Sequence, residues 1–169
     1  LHTFLNSLDP DWHTRQGFTQ SIGNFGGEIT SLDRRIVFTI PPGALDGDIT
    51  FTFIPLAGPN YSIGHYSFAN ISFQLYAENS LGLPVTTFTL PILLSMNYTD
   101  EDLGETVETS LIHFYWDNAM SQWKDAATTC SPASGYTRNL DSNWLSIPVC
   151  HLTEFALLGV SNYLFLPNI

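Results

Sequence analysis

GGEITSLDRRIVFTIPPGALDGDITFTF, residues 26–53, decides the fold of this chain. Two apolar alternations flank a turn within it. Ile36, Phe38 and Ile40 face one way, and Arg35, Val37 and Thr39 the other. After the turn, Ile49, Phe51 and Phe53 alternate with Thr50 and Thr52. Successive side chains of a strand point to opposite faces, so a period of two reads as half-buried β-strand. The intervening PPGALDGD, residues 41–48, is turn chemistry. Proline ends a strand by removing a donor, and glycine takes backbone angles that other residues resist.

Outward from this hairpin the same period recurs. Ile71, Phe73 and Leu75 alternate with Ser72 and Gln74, and Phe88 and Leu90 with Thr87 and Thr89. Ile92, Leu94 and Met96 continue past Pro91, which marks a bulge or an edge. Ile112, Phe114 and Trp116 alternate with His113 and Tyr115. Gly-, Pro- and Asn-rich stretches at 56–60, 78–84 and 131–135 separate the runs. Helical periodicity is almost absent; only TDEDLGETVE, residues 99–108, suits a short helix or an acidic loop. Many short strands at near-regular spacing predict an all-β antiparallel β-sandwich. Ile36, Phe38, Ile40, Phe51, Phe53, Ile71, Phe73, Leu75, Ile92, Leu94, Phe114, Trp116, Phe155 and Leu157 are expected to fill its core.

The chain has 169 residues, enough for one such domain. The domain is expected over 19–160, with an N-terminal arm at 1–18 and an apolar tail at 161–169. The net charge of −11 comes from 16 acids and five bases. That balance excludes nucleic-acid binding, which needs a basic footprint, and docking on anionic lipid heads. The apolar runs are strand-sized, so no membrane span is expected. The first residue is Leu rather than Met, which either a removed leader or an expression design accounts for.

Cys130 and Cys150 are the only cysteines, too few for a thiolate zinc site. With few lysines, many threonines and sequons at Asn60, Asn70 and Asn97, they suggest a secreted or cell-surface protein stapled by one Cys130–Cys150 disulfide.

Residues 26–53 resemble the ZU5 family, the β-sandwich module of ankyrins and netrin receptors, through the Gly26-Gly27 pair, the alternating strand and IPPGAL at 40–45. Residues 112–159 resemble the GPS segment that closes the GAIN domain of adhesion receptors. The matching positions are Tyr115, Trp116, Asp117, Trp123, Cys130, Cys150, His151, Leu152, Thr153, Phe155, Ala156 and Leu157. Bacterial exported proteins carry hybrids of this look. His113 stands where the family places a further cysteine, so one bridge replaces two.

The GPS resemblance implies a candidate self-cleavage site at His151, Leu152 and Thr153. His151 would take the Thr153 hydroxyl proton, the oxygen would attack the Leu152 carbonyl carbon, and water would hydrolyse the resulting ester. A neutral imidazole suits a general base near neutral pH. The simpler reading keeps Thr153 as a strand residue and His151 as a turn residue beside a disulfide, and it is preferred.

Other constellations rank lower. Asp100, Asp102 and Glu105, with Glu101 and Glu108, could offer oxygen ligands to calcium, but the ordered spacing of a calcium loop is absent. His2, His13, His65 and His113 share no metal-ligand spacing. Trp116, Trp123 and Trp144 could form a sugar platform, although alternating aromatics are more often core. No cofactor is expected. The function expected first is a non-enzymatic structural or interaction module, extracellular and self-assembling as a filament or surface-layer subunit, with its partner a protein and the N-terminal arm mediating contacts between copies. Self-cleavage between Leu152 and Thr153 comes second, and a calcium- or carbohydrate-dependent adhesin third.

Overall fold

The computed structural model describes residues 16–162 and is an all-β sandwich of two antiparallel sheets. One sheet has six strands in the order β1 (Phe18–Ile22), β4 (Ile49–Leu56), β5 (Ser67–Asn79), β11 (Glu154–Gly159), β7 (Ile112–Asp117) and β8 (Gln122–Asp125). The other has five, in the order β2 (Gly27–Thr30), β3 (Ile36–Ile40), β6 (Ile92–Asn97), β10 (Trp144–Val149) and β9 (Thr137–Asn139). Of the arm and tail expected from sequence, residues 1–15 and 163–169 lie outside the described residues, as do His2 and His13.

The alternating runs become strands because each can bury one face. β3 and β4 bury Ile36, Phe38, Ile40, Ile49, Phe51 and Phe53, as their period requires. Phe73 of β5 sits at the centre: its ring is 5.2 Å from Phe53, 5.5 Å from Phe155 and 5.6 Å from Phe38. Gly26 is fixed by contact as well as by angle. Its φ is 73°, and a Cβ there would lie 2.2 Å from the Ile40 carbonyl oxygen, so this turn seats directly against the end of β3.

Two expectations need correction. Residues 87–90 form no strand: Phe88 packs against the core from extended coil, its ring 6.4 Å from Phe51, and Leu90 is exposed. The alternation there reports a coil with one apolar anchor. The second concerns β7, where Tyr115 joins the inter-sheet core and His113 lies opposite the core residue Leu157. Phe114 and Trp116 turn to the outer face, where they meet Trp123, Ala156, Leu158, Tyr66 and Phe68 in a second cluster. Because residues 57–66 cross that face and cover it, β7 and β11 carry apolar side chains on both sides, and alternation no longer tells inside from outside. Trp116, expected in the core, is accordingly only half-buried. The expected run Ile71–Leu75 lies within the longer β5, whose pairing with β11 shifts register between Ala156 and Leu158, opposite the left-handed Asn70 (φ 56°).

The acidic stretch forms the short helix α1 (Asp100–Leu103), capped by Thr99 and followed by a 3-10 turn at Glu108–Ser110.

The strand directions give the sandwich two distinct poles. The turns at 23–26 and 41–48, the loop after β5 and the β10–β11 corner share one pole. The chain enters β1 and leaves β11 at the other, where α1 also lies.

Candidate functional site

β10 ends at Val149 in one sheet and β11 begins at Glu154 in the other, so Cys150-His151-Leu152-Thr153 is the corner between sheets. Cys130 and Cys150 are disulfide-bonded, with Cα atoms 5.0 Å apart. The Cys150 amide donates to the Thr129 hydroxyl at 3.1 Å, and that hydroxyl donates to the Ala126 carbonyl at 2.7 Å. The corner is therefore clamped covalently and by hydrogen bonds to the 3-10 turn at Ala126–Thr129.

His151 is half-buried, edge-on to the Tyr115 ring at 5.5 Å. Its Nδ1 is buried without a hydrogen-bond partner. Burial lowers its pKa, with the Asp117 carboxylate pulling the other way, so the ring is neutral at pH 7. Leu152 is buried beside a shallow cleft formed with Tyr76, Glu78 and Val85. Thr153 is buried; its hydroxyl donates to the Trp116 carbonyl at 3.1 Å, and its own carbonyl accepts from the Leu75 amide at 3.1 Å.

The three candidate residues are adjacent, but no hydrogen bond joins His151 to Thr153. The hydroxyl proton that a self-cleavage step must give to a base points at the Trp116 carbonyl instead. Leu152 is also not among the non-glycine residues with positive φ, which are Arg34, Asn70, Ser121 and Asn143 in the described part of the chain.

Sequence reasoning missed Glu154. Its side chain is 3% exposed in a strand otherwise apolar. The carboxylate accepts from the Asn60 amide at 2.8 Å, from Asn60 Nδ2 at 2.9 Å and from Gln74 Nε2 at 3.2 Å. A buried carboxylate is tolerated when its lone pairs are filled this way. Here it ties down the strap of residues 57–66, whose Tyr61 ring stacks on Trp116 at 3.9 Å and 3°. A lone Glu beginning the run EFALLG was the available signal.

The tryptophans divide. Trp116 and Trp123 meet edge to face at 5.5 Å on the six-stranded sheet, whereas Trp144 belongs to the other sheet. The acidic candidates divide too. Asp102 is buried, ion-paired with Arg35, and accepts from Thr99 N at 2.7 Å, Thr99 Oγ1 at 2.6 Å and Asn70 Nδ2 at 3.3 Å. Burial alone would raise its pKa, but the Thr99 bonds, Arg35 and Asn70 together hold the carboxyl below its usual range. Asp100 instead accepts from Asn143 Nδ2 at 2.8 Å, and the Glu105 main-chain carbonyl accepts from Asn162. Among the described residues, no group of three His, Cys, Asp or Glu converges on a metal-sized site. Two sequon amides, those of Asn60 and Asn70, are spent on Glu154 and Asp102, while Asn97 is exposed at the end of β6.

No helix among the described residues is long and apolar enough to cross a membrane. No family model matches this chain, and no curated protein matches it.

Proposed function

We infer that this chain is a non-enzymatic, extracellular structural module that assembles with copies of itself, as a filament or surface-layer subunit. One observation carries the reading: four large apolar side chains stand exposed on the turns and loops of the pole where β1 ends and β11 begins. Phe25 is 87% exposed, Leu81 79%, Leu83 56% and Leu90 43%, all on turns and loops at that pole. Apolar side chains gathered on one surface gain free energy only when a partner covers them. The disulfide fits an oxidising compartment, and the ZU5-like and GPS-like stretches support an extracellular module. Sedimentation velocity over a wide concentration series tests the reading: the expected result is association that increases with concentration. A chain that stays monomeric throughout overturns it.

The second reading is self-cleavage at Leu152-Thr153. It is favoured by a neutral His151 whose Nδ1 has no partner, two residues before a hydroxyl. The Thr153–Trp116 hydrogen bond weighs against it. Intact mass under denaturing conditions distinguishes one chain from two.

A further inference from the structure

We propose that the outer face of the five-stranded sheet binds an uncharged, straight β-1,4-linked glycan chain, with Trp144 as its stacking platform. The site uses other residues than the self-assembly reading and stands without it.

Sheet register builds the platform. Trp144 of β10 is paired with Asn97 of β6 on one side and with Asn139 of β9 on the other. Residues paired across strands share a face. An amide, an indole and an amide therefore stand in one row, about 10 Å long at the usual strand spacing. The alternate positions Met96 and Leu145 belong to the core, which puts this row on the outer face. One row further along, Ser95 and Thr137 flank Ser146 and offer hydroxyls. The face is open, with Leu93, Asn97, Thr137 and Asn139 exposed.

Trp144 differs from the other described tryptophans. Trp116 is stacked under Tyr61 and meets Trp123 edge to face, whereas Trp144 has no aromatic neighbour among the described residues. Its indole is half-buried, and the indole nitrogen makes no hydrogen bond with a described residue. The Asn97 side-chain amide makes none either. Asn139 accepts from Ser142 N through its oxygen at 3.0 Å and keeps its nitrogen free. An indole between two amides with unengaged donors has the composition of a sugar subsite. The negative ring face takes the C–H face of a pyranose, and the amides reach its hydroxyls.

Charge and area select the ligand. The chain carries a charge of −11, yet among the strand positions of this face only Glu28, on the edge strand β2, is charged. Arg35, just before β3, is ion-paired with Asp102. A face free of charge on so acidic a chain suits a neutral ligand and gives an ionic polymer no counter-charge. Five strands at ordinary spacing present roughly 400 Å² on this face. A stable protein interface takes about 800 Å² from each partner, so this face is too small to hold a second copy by itself. A glycan a few sugars long fills it. The β-1,4 linkage keeps successive pyranose rings in a straight chain that can follow the rows, whereas an α-1,4 chain coils away from them.

Isothermal titration of the full chain with cellohexaose and with chitohexaose is the test, and near-UV circular dichroism confirms the fold of each variant. At least one of these β-1,4 hexaoses should bind, and maltohexaose, an α-1,4 chain, should bind at least about tenfold more weakly. Trp144→Ala should weaken binding at least about tenfold, and Asn97→Ala should weaken it measurably. Tyr76→Ala removes an exposed aromatic from the six-stranded sheet and should bind like the wild type. Should Trp144→Ala lose its fold, Asn97→Ala carries the test, because the Asn97 amide holds no described residue in place. A wild-type chain that binds neither β-1,4 hexaose at millimolar concentration overturns the proposal. So does maltohexaose binding as tightly, or a folded Trp144→Ala or Asn97→Ala that binds like the wild type. Binding lost in Tyr76→Ala puts the ligand on the other sheet and overturns it as well. A monomer suffices for binding, so failure here leaves self-assembly standing, and a chain that never associates leaves this site standing.

Discussion

The Thr153 hydroxyl donates to the main-chain carbonyl of Trp116 at 3.1 Å, linking the corner before β11 to the end of β7. A hydroxyl held this way presents its oxygen lone pairs, not its proton, to the rest of the corner. The wild-type chain is therefore expected to keep a single mass after prolonged incubation near pH 8. Two fragments, the second beginning at Thr153, would show that the hydroxyl turns to His151 in solution. In the intact chain, Thr153→Val removes one buried hydrogen bond at nearly constant volume and leaves the Trp116 carbonyl short of a donor. Urea unfolding should show a loss of about 1–2 kcal/mol.

Glu154 and Asn60 form the anchor between the six-stranded sheet and the strap over its outer face. Glu154→Ala strands the Asn60 amide and Gln74 Nε2, while Asn60→Ala leaves a buried carboxylate with fewer donors. Either change should cost about 2–3 kcal/mol, as bonds to charged groups do. The double variant should lose less than the sum, because the two residues share one interaction. Tyr61 should also leave Trp116, so the tryptophan emission should move to the red in both single variants. Strict additivity with unchanged emission would mean that the strap is held by its aromatic contacts alone.

Strands that bury one face were legible from their period, and β3, β4 and β6 needed nothing more. The disulfide followed from there being two cysteines across one hairpin. What period two could not supply was the face of β7, because Phe114 on one side and His113 and Tyr115 on the other are buried, with Trp116 half-buried. That ambiguity is physical: a loop crossing the outer face makes it apolar too, and the loop's path depends on Glu154, 94 residues from Asn60. The corner was legible as residues but not as geometry, since the Thr153–Trp116 bond joins positions 37 apart.

The turns at Gly26 and Gly43 look equivalent in sequence and should respond differently. Both have positive φ, 73° and 81°. A Cβ at Gly43 meets nothing within 4 Å, so Gly43→Ala carries only the left-handed penalty of about 1–2 kcal/mol. At Gly26 the same Cβ collides with main-chain atoms of Ile40, Pro41 and Pro42. Those atoms cannot swing away as a side-chain end can, so Gly26→Ala should destabilise by clearly more, or prevent folding. Thermal unfolding of the two variants side by side is the measurement, and equal losses would contradict the close approach.

His113 sets the acid limit. It is fully buried, its ring nitrogens have no hydrogen-bond partner, and burial, aided by the Arg138 charge, lowers its pKa from 6.5 to about 3. The unfolded chain thus binds this proton near pH 6.5 and the folded chain only near pH 3. Folded-state stability tied to His113 is complete above pH 6.5 and is lost as pH falls toward 3, on the order of 4–5 kcal/mol in all. Asp102 and Asp117 have lowered pKa values, so their contributions fade only below about pH 3.8. Between pH 6.5 and 4 the slope belongs to His113, with a smaller share from His151, whose pKa is lowered by partial burial. Unfolding free energies of wild type and His113→Leu, measured at intervals from pH 7 to 4, should diverge steadily as pH falls. The variant should also be the more stable at pH 7, since it removes two unpaired buried nitrogens. Parallel curves would mean that His113 finds a proton acceptor in the folded protein.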